Sequence, residues 1–253
     1  MSVEACAELV ERGDPDRFLS AMTAPPDDRA ALFVLYAFNL EVARAPWVTK
    51  EAMIAEMRLQ WWADAIEEIY GDGDVRRHEV VSPLAALITD KGLERAAFDR
   101  LIEARRWDIY KEPHKDQAAL DQYISDTSAG LMWLAAQALG ADATHRDLVM
   151  DYGYAAGVAA LFRAIPALEN AQKYPLVDGT PAGVSALAHT ALARSAIGGV
   201  PKPVRAALRS GWMAKYALKL AVHNPALVAA GGLEPAEFSK KIRLLWKSIT
   251  GGF

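Results

Sequence analysis

The carboxylates whose spacing could do chemistry are Asp64, Glu67 and Glu68. Asp64 and Glu68 fall one helical turn apart on one face, a geometry that lets two oxygen ligands share a hard cation. On an amphipathic helix such a cluster is more often simply a solvated face, and the metal reading competes with that one. Arg163 is the second conspicuous group, because it interrupts the apolar segment Tyr152 to Leu168. A guanidinium is costly to bury alone, so it must face a carboxylate, a carbonyl or a bound anion. Asp126 and Glu169 are the partners expected of it. Other reactive groups are sparse. His78, His114, His145, His189 and His223 are scattered, with no i, i+4 pair to suggest zinc. No nucleophile elbow, phosphate loop or dinucleotide fingerprint is present. One cysteine, Cys6, excludes an internal disulfide and a thiolate cluster, and suits a reducing compartment.

The elements that must position these groups read as helices. Apolar residues make up 52% of 253, enough for a full core and too many for a disordered chain. Their period is helical and β-branched runs are nearly absent. Asp27-Asp28 opens a helix that runs to Arg44 and is stopped by Pro46. A second spans about Thr49 to Tyr70 and ends at Gly71-Asp-Gly73. Further helices are expected at Pro83–Thr89, Leu93–Tyr110, Gln117–Leu139 and Thr144–Leu168. After a loop at Pro175 to Gly183, three more are expected at 184–196, 202–222 and 235–249. Gly153-x-x-x-Gly157 reads as a close-packing face and the tryptophan pair Trp61-Trp62 as core. The stretch Tyr152 to Leu168 is too short and too interrupted to cross a membrane, and reads as a buried helix. The acidic start, with Glu4 and Glu8, resembles neither a secretory signal nor a transit peptide.

The family resemblance enters through Arg58-Leu-Gln-Trp-Trp-Ala-Asp-Ala-Ile-Glu-Glu-Ile-Tyr70-Gly71. This is similar to the arginine–glutamine–tryptophan helix of the squalene/phytoene synthases. Tyr36-Ala-Phe38, and Tyr123 followed by Gly130-Leu-Met132, resemble that family's other landmarks. The resemblance implies a single-domain, all-α bundle of the isoprenoid-synthase type over residues 1–253. Family members join two prenyl diphosphates head to head, with magnesium held by two aspartate-rich motifs. Laid on that pattern, the first motif's aspartates fall on Ala43 and Trp47 and its arginine on Leu40. The second motif's aspartates fall on Leu168 and Gln172 and its asparagine on Ala164. What the resemblance leaves for a ligand is Tyr36, Tyr123 and Arg163, with no catalytic residue. No cofactor is then expected. Mg2+ enters only if Asp64, Glu68 or other carboxylates replace the missing aspartates.

Phe38-Asn-Leu-Glu-Val-Ala43 and Arg163-Ala-Ile-Pro166 resemble a divergent branch of the family. That branch includes a mitochondrial assembly factor for respiratory complex I and bacterial relatives with the same degenerate motifs. The expectation is therefore a non-catalytic protein acting in assembly of a complex I-like membrane enzyme. The alternatives are a prenyltransferase using non-standard carboxylates and an isoprenoid-binding protein. Charge adds to this. Residues 1–178 carry 18 Lys/Arg against 30 Asp/Glu, while residues 179–253 carry 10 against 2. The basic third is expected to pack on the chain's own acidic face, or else to meet a respiratory-complex subunit or an anionic membrane. Its last segment is amphipathic, with Phe238, Ile242, Leu245 and Ile249 in one stripe among Lys240, Lys241, Arg243 and Lys247. Docking of that stripe onto the body is the default, and a peripheral membrane contact the alternative. The expected location is cytoplasmic, peripheral at the inner membrane, with no nucleic-acid partner.

Overall fold

Several helices open on a polar cap joined to proline, which satisfies free amides at one position and removes one at the next. Asp14 accepts from the Arg17 amide at 3.0 Å with Pro15 following it. Thr180 accepts from the Gly183 amide at 3.2 Å with Pro181 following it. Asp116 accepts from the Ala119 amide at 2.8 Å. The computed structural model describes residues 2–253 and contains no strand among them.

The helices are α1 (Val3–Gly13), α2 (Pro15–Met22), α3 (Pro26–Arg44), α4 (Ala52–Tyr70), α5 (Val81–Lys91), α6 (Arg95–Ala104) and α7 (Gln117–Ile124). After them come α8 (Gly130–Ala138), α9 (Arg146–Asn170), α10 (Pro181–Arg194), α11 (Arg205–Leu208), α12 (Ala214–His223), α13 (Ala226–Ala229) and α14 (Glu237–Thr250). The all-α expectation holds, with differences in detail. Periodicity did not announce α1 and α2. The helix expected over Gln117–Leu139 is interrupted by a π turn at Ser125–Ala129. The one expected over 202–222 breaks at a 3-10 turn, Arg209–Gly211.

The π turn exists where α9 presses against it. A Cβ added to Gly153 would lie 2.6 Å from the Ala129 Cα, and one on Gly157 would lie 2.6 Å from the Ile124 and Ser128 side chains. Backbone cannot retreat cheaply, so these two glycines set the approach of the two segments. The Ser128 hydroxyl closes the contact by donating to the Gly153 carbonyl at 3.1 Å.

α9 is the axle of the bundle. By length and composition, Ala143–Asn170 could cross a membrane. Here it divides two apolar clusters. One gathers α1, α3, α6 and α8 around Leu32, Phe38, Phe98 and Trp133. The other gathers α10 and α12 around Phe162, Ile165, Leu187 and Leu218. Each such side chain contributes about 1.5–3 kcal/mol when fully buried. Pro166 sits inside α9 near its C-terminal end and removes one amide from the helix hydrogen-bond ladder.

Candidate functional site

The ends of α3 and α9, where the two metal motifs would stand, come together, but with the wrong charge. Ala43 and Leu168 are half-buried and uncharged, and Trp47 and Gln172 lie just beyond their helices on the surface. The Lys173 ammonium lies 4.6 Å from the centre of the Trp47 ring and 5.5 Å from that of Trp107. It also donates to the Asp108 carbonyl, and Lys111 donates to the Gln172 side chain at 2.7 Å. Gln172 adopts a left-handed backbone (φ 59°) to turn the chain out of α9. Burial and the neighbouring Lys111 hold the Lys173 ammonium below its ordinary pKa. The residues present do not fit a magnesium–diphosphate group: carboxylates are missing and an ammonium takes their place. Among the described residues no three His, Cys, Asp or Glu side chains gather to hold a metal.

Behind Lys173 lies a buried polar cluster. Tyr123 donates to the Asp108 carboxylate at 3.0 Å and accepts from Arg105 at 2.9 Å. Arg105 also reaches Asp108 at 3.0 Å. His114 stacks on Trp107 at 4.0 Å, and burial pushes its pKa down to about 4. The Tyr123 hydroxyl therefore both donates and accepts inside the fold.

Arg163 lines a separate cavity of about 160 Å³ beside Asp14, Asp16, Arg17, Ser128 and Ser210. Its partners are Asp16, at 2.6 Å, and Glu234, not the expected Asp126 or Glu169. Lys240 of α14 joins the same cluster through Glu234 at 2.7 Å. Asp14 is held by Arg17 at 2.7 Å. The cavity thus has two acids, each already paired. Ligand pockets usually offer about 300–1,000 Å³, well above this volume.

Tyr36 stands behind the cavity wall, with the Arg17 guanidinium 5.7 Å from its ring centre. It is fully buried, and burial pushes its hydroxyl up to about 12. That hydroxyl has no partner in full hydrogen-bond geometry: Ser210 is close enough to oppose the shift caused by burial, but donates its own proton to the Ala207 carbonyl. An unpaired buried hydroxyl costs about 1–3 kcal/mol. Tyr36→Phe is therefore expected to raise stability by roughly 1 kcal/mol, read as a higher urea midpoint at unchanged slope. Lower stability in that variant would mean the hydroxyl has a partner after all.

Asp64 and Glu68 each have a partner within the protein. Glu68 gives its two oxygens to Arg76, at 2.5 and 2.8 Å, and this pairing holds its carboxyl down at about 2. Asp64 accepts from Gln60 at 2.8 Å. The tryptophan pair divides, with Trp62 at 4% exposure in the core and Trp61 at 37% on the surface. Trp61 borders an open groove of about 550 Å³ with Val48, Ile54, Met57 and Arg58. Trp47, Met53 and Met57 extend the exposed apolar rim.

A helical bundle with this order of elements is an isoprenoid-synthase-type fold, and comparison with solved structures bears it out. The chain resembles squalene synthase HpnC from Alicyclobacillus acidocaldarius with a TM-score of 0.64 and 18% identity, covering 99% of this chain and 95% of that one. It resembles a dehydrosqualene synthase, solved in complex with a ligand, with a TM-score of 0.70 and 11% identity over 98% and 95%. The family model for squalene/phytoene synthase matches residues 10–176, and the chain belongs to that family. Among curated relatives, the human "NADH dehydrogenase (ubiquinone) complex I, assembly factor 6" is 26% identical over 162 residues, 64% of this chain and 48% of the relative. The Drosophila melanogaster homolog of that factor is 31% identical over 185 residues, 68% and 53%. The chain spans about half the length of the curated relatives it matches.

Sequence reading missed Asp16, Arg17, Asp108 and Lys173. The Asp14-Pro15 cap was the available signal for the first two, and Lys173 directly follows the second motif. Nothing local marks Asp108.

Proposed function

We propose that the protein acts in the assembly of respiratory complex I and does not join prenyl diphosphates. The observation that carries this reading is the replacement of both carboxylate motifs by Ala43, Trp47, Leu168 and Gln172, with Lys173 set between them. The names of the curated relatives supply the complex. The exposed apolar rim of Trp47, Met53, Met57 and Trp61 supplies a surface of the kind that protein partners cover. An isoprenoid tail would find room in the groove beside that rim and none in the small cavity of Arg163. The working location is peripheral, at the membrane that carries the complex.

Deleting the gene is expected to lower assembled complex I on native gels, with recovery on return of the wild type. A variant carrying Met53→Ser, Met57→Ser and Trp61→Ser is expected to fold and to fail in that rescue. Full complex I in the deletion strain would overturn the reading.

A further inference from the structure

The stripe expected to dock α14 onto the body points the other way. Phe238 (76% exposed), Ile242, Leu245, Trp246 (68%) and Ile249 (72%) all face solvent, and Leu244 alone is buried, against Trp212 and Met213. The helix is held in this orientation from its inner face. Lys240 bonds Glu234 at 2.7 Å and Glu237 at 3.0 Å, while Arg163 of α9 bonds the same Glu234. At the far end, Lys247 donates to the Phe253 main-chain oxygen at 2.5 Å. The apolar row is thus presented on a fixed mount.

Beside the row lies a groove of about 550 Å³ whose charged side chains are Lys215, Lys219, Arg243 and Lys247. Lys247 is engaged by the Phe253 oxygen, whereas Lys215, Lys219 and Arg243 are ion-paired to no carboxylate among the described residues, and Arg243 lies 4.5 Å from the Tyr216 ring centre. Five large apolar side chains in line, flanked by lysines with no acid to answer them, suit a bilayer better than a protein. Protein interfaces are depleted of lysine at their cores, whereas anionic headgroups attract it and acyl chains take the apolar row. Tryptophan at such a boundary sits with its ring at headgroup depth.

We propose that α14 docks the protein on an anionic bilayer, its outward row entering the acyl boundary and the α12–α14 groove receiving lipid phosphate. This goes beyond the assembly role and stands without it, since the test reads lipid and not complex I.

The test is flotation of the full chain with vesicles of phosphatidylcholine alone or mixed with phosphatidylglycerol. Binding is expected to the mixed vesicles only, weakening as salt is raised. The variant Ile242→Ser, Leu245→Ser, Trp246→Ser is expected to lose roughly tenfold or more in binding while keeping its thermal midpoint, because these side chains are already exposed. The variant Lys215→Glu, Lys219→Glu is expected to bind mixed vesicles as poorly as neutral ones. Equal binding to both vesicle types, no binding to either, or unchanged binding by the serine variant would overturn the proposal.

Discussion

Farnesyl diphosphate incubated with the protein and magnesium is expected to survive intact, with neither squalene nor free pyrophosphate accumulating above the uncatalysed rate. Diphosphate leaves a carbon only when its growing charge is met by fixed positive groups, and in this fold those groups are metal ions held by carboxylates. Losing a single preorganised donor typically costs about 10²–10³ in rate, and here every carboxylate of both motifs is absent. The obvious substitute cation, Lys173, is spent on the Asp108 carbonyl and boxed by Trp47 and Trp107. Arg163 is spent on Asp16 and Glu234. Returning one acid is not expected to help. An aspartate at Trp47 would meet the Lys173 ammonium first and form an ion pair with it, so Trp47→Asp should show no magnesium binding by calorimetry. Steady pyrophosphate release by the wild type, removed by chelator, would overturn this expectation.

How much of this was legible in the sequence depended on separation along the chain. The helices whose apolar period or cap is local, such as α3, α4 and α9, were readable to within a few residues. The π turn was not, since it answers Gly153 and Gly157 some 25 residues further on, as the Ser128–Gly153 hydrogen bond shows. Arg163 was recognised as needing a carboxylate, but its partners lie 147 and 71 residues away and no spacing rule reaches them. The stripe on α14 was correctly seen and wrongly turned. Amphipathicity tells which residues share a face, and only the Lys240 and Leu244 anchors tell which face looks inward. The pairing of Glu68 was hidden for a similar reason, because Arg76 comes from the following loop and takes both its oxygens.

The largest loss of stability is expected at a residue with no place in the family motifs, Asp108. It is almost fully buried and holds Arg105 and Tyr123 together. Asp108→Ala leaves a guanidinium in the interior with no counter-charge, a change that costs about 3–5 kcal/mol in comparable buried pairs. Arg105 keeps some solvent, so the lower part of that range is the better expectation. Tyr123→Phe removes a neutral hydroxyl that donates to Asp108 and accepts from Arg105 but leaves the ion pair intact, so roughly 1 kcal/mol is expected. Because the two residues share one carboxylate, their effects should not add. With Asp108 gone, the Tyr123 hydroxyl keeps only the bond it accepts from Arg105, and the double variant should lose less than the sum of the two single losses. Additive losses in urea unfolding would show that Tyr123 acts through Arg105 or His114 and not through Asp108. Lys173 sharpens the point. It bonds the Asp108 backbone carbonyl and not the carboxylate, so the ammonium beside Trp47 should remain in place when the side chain below it is removed. The cation is seated by the turn of the chain and not by the Asp108 side chain.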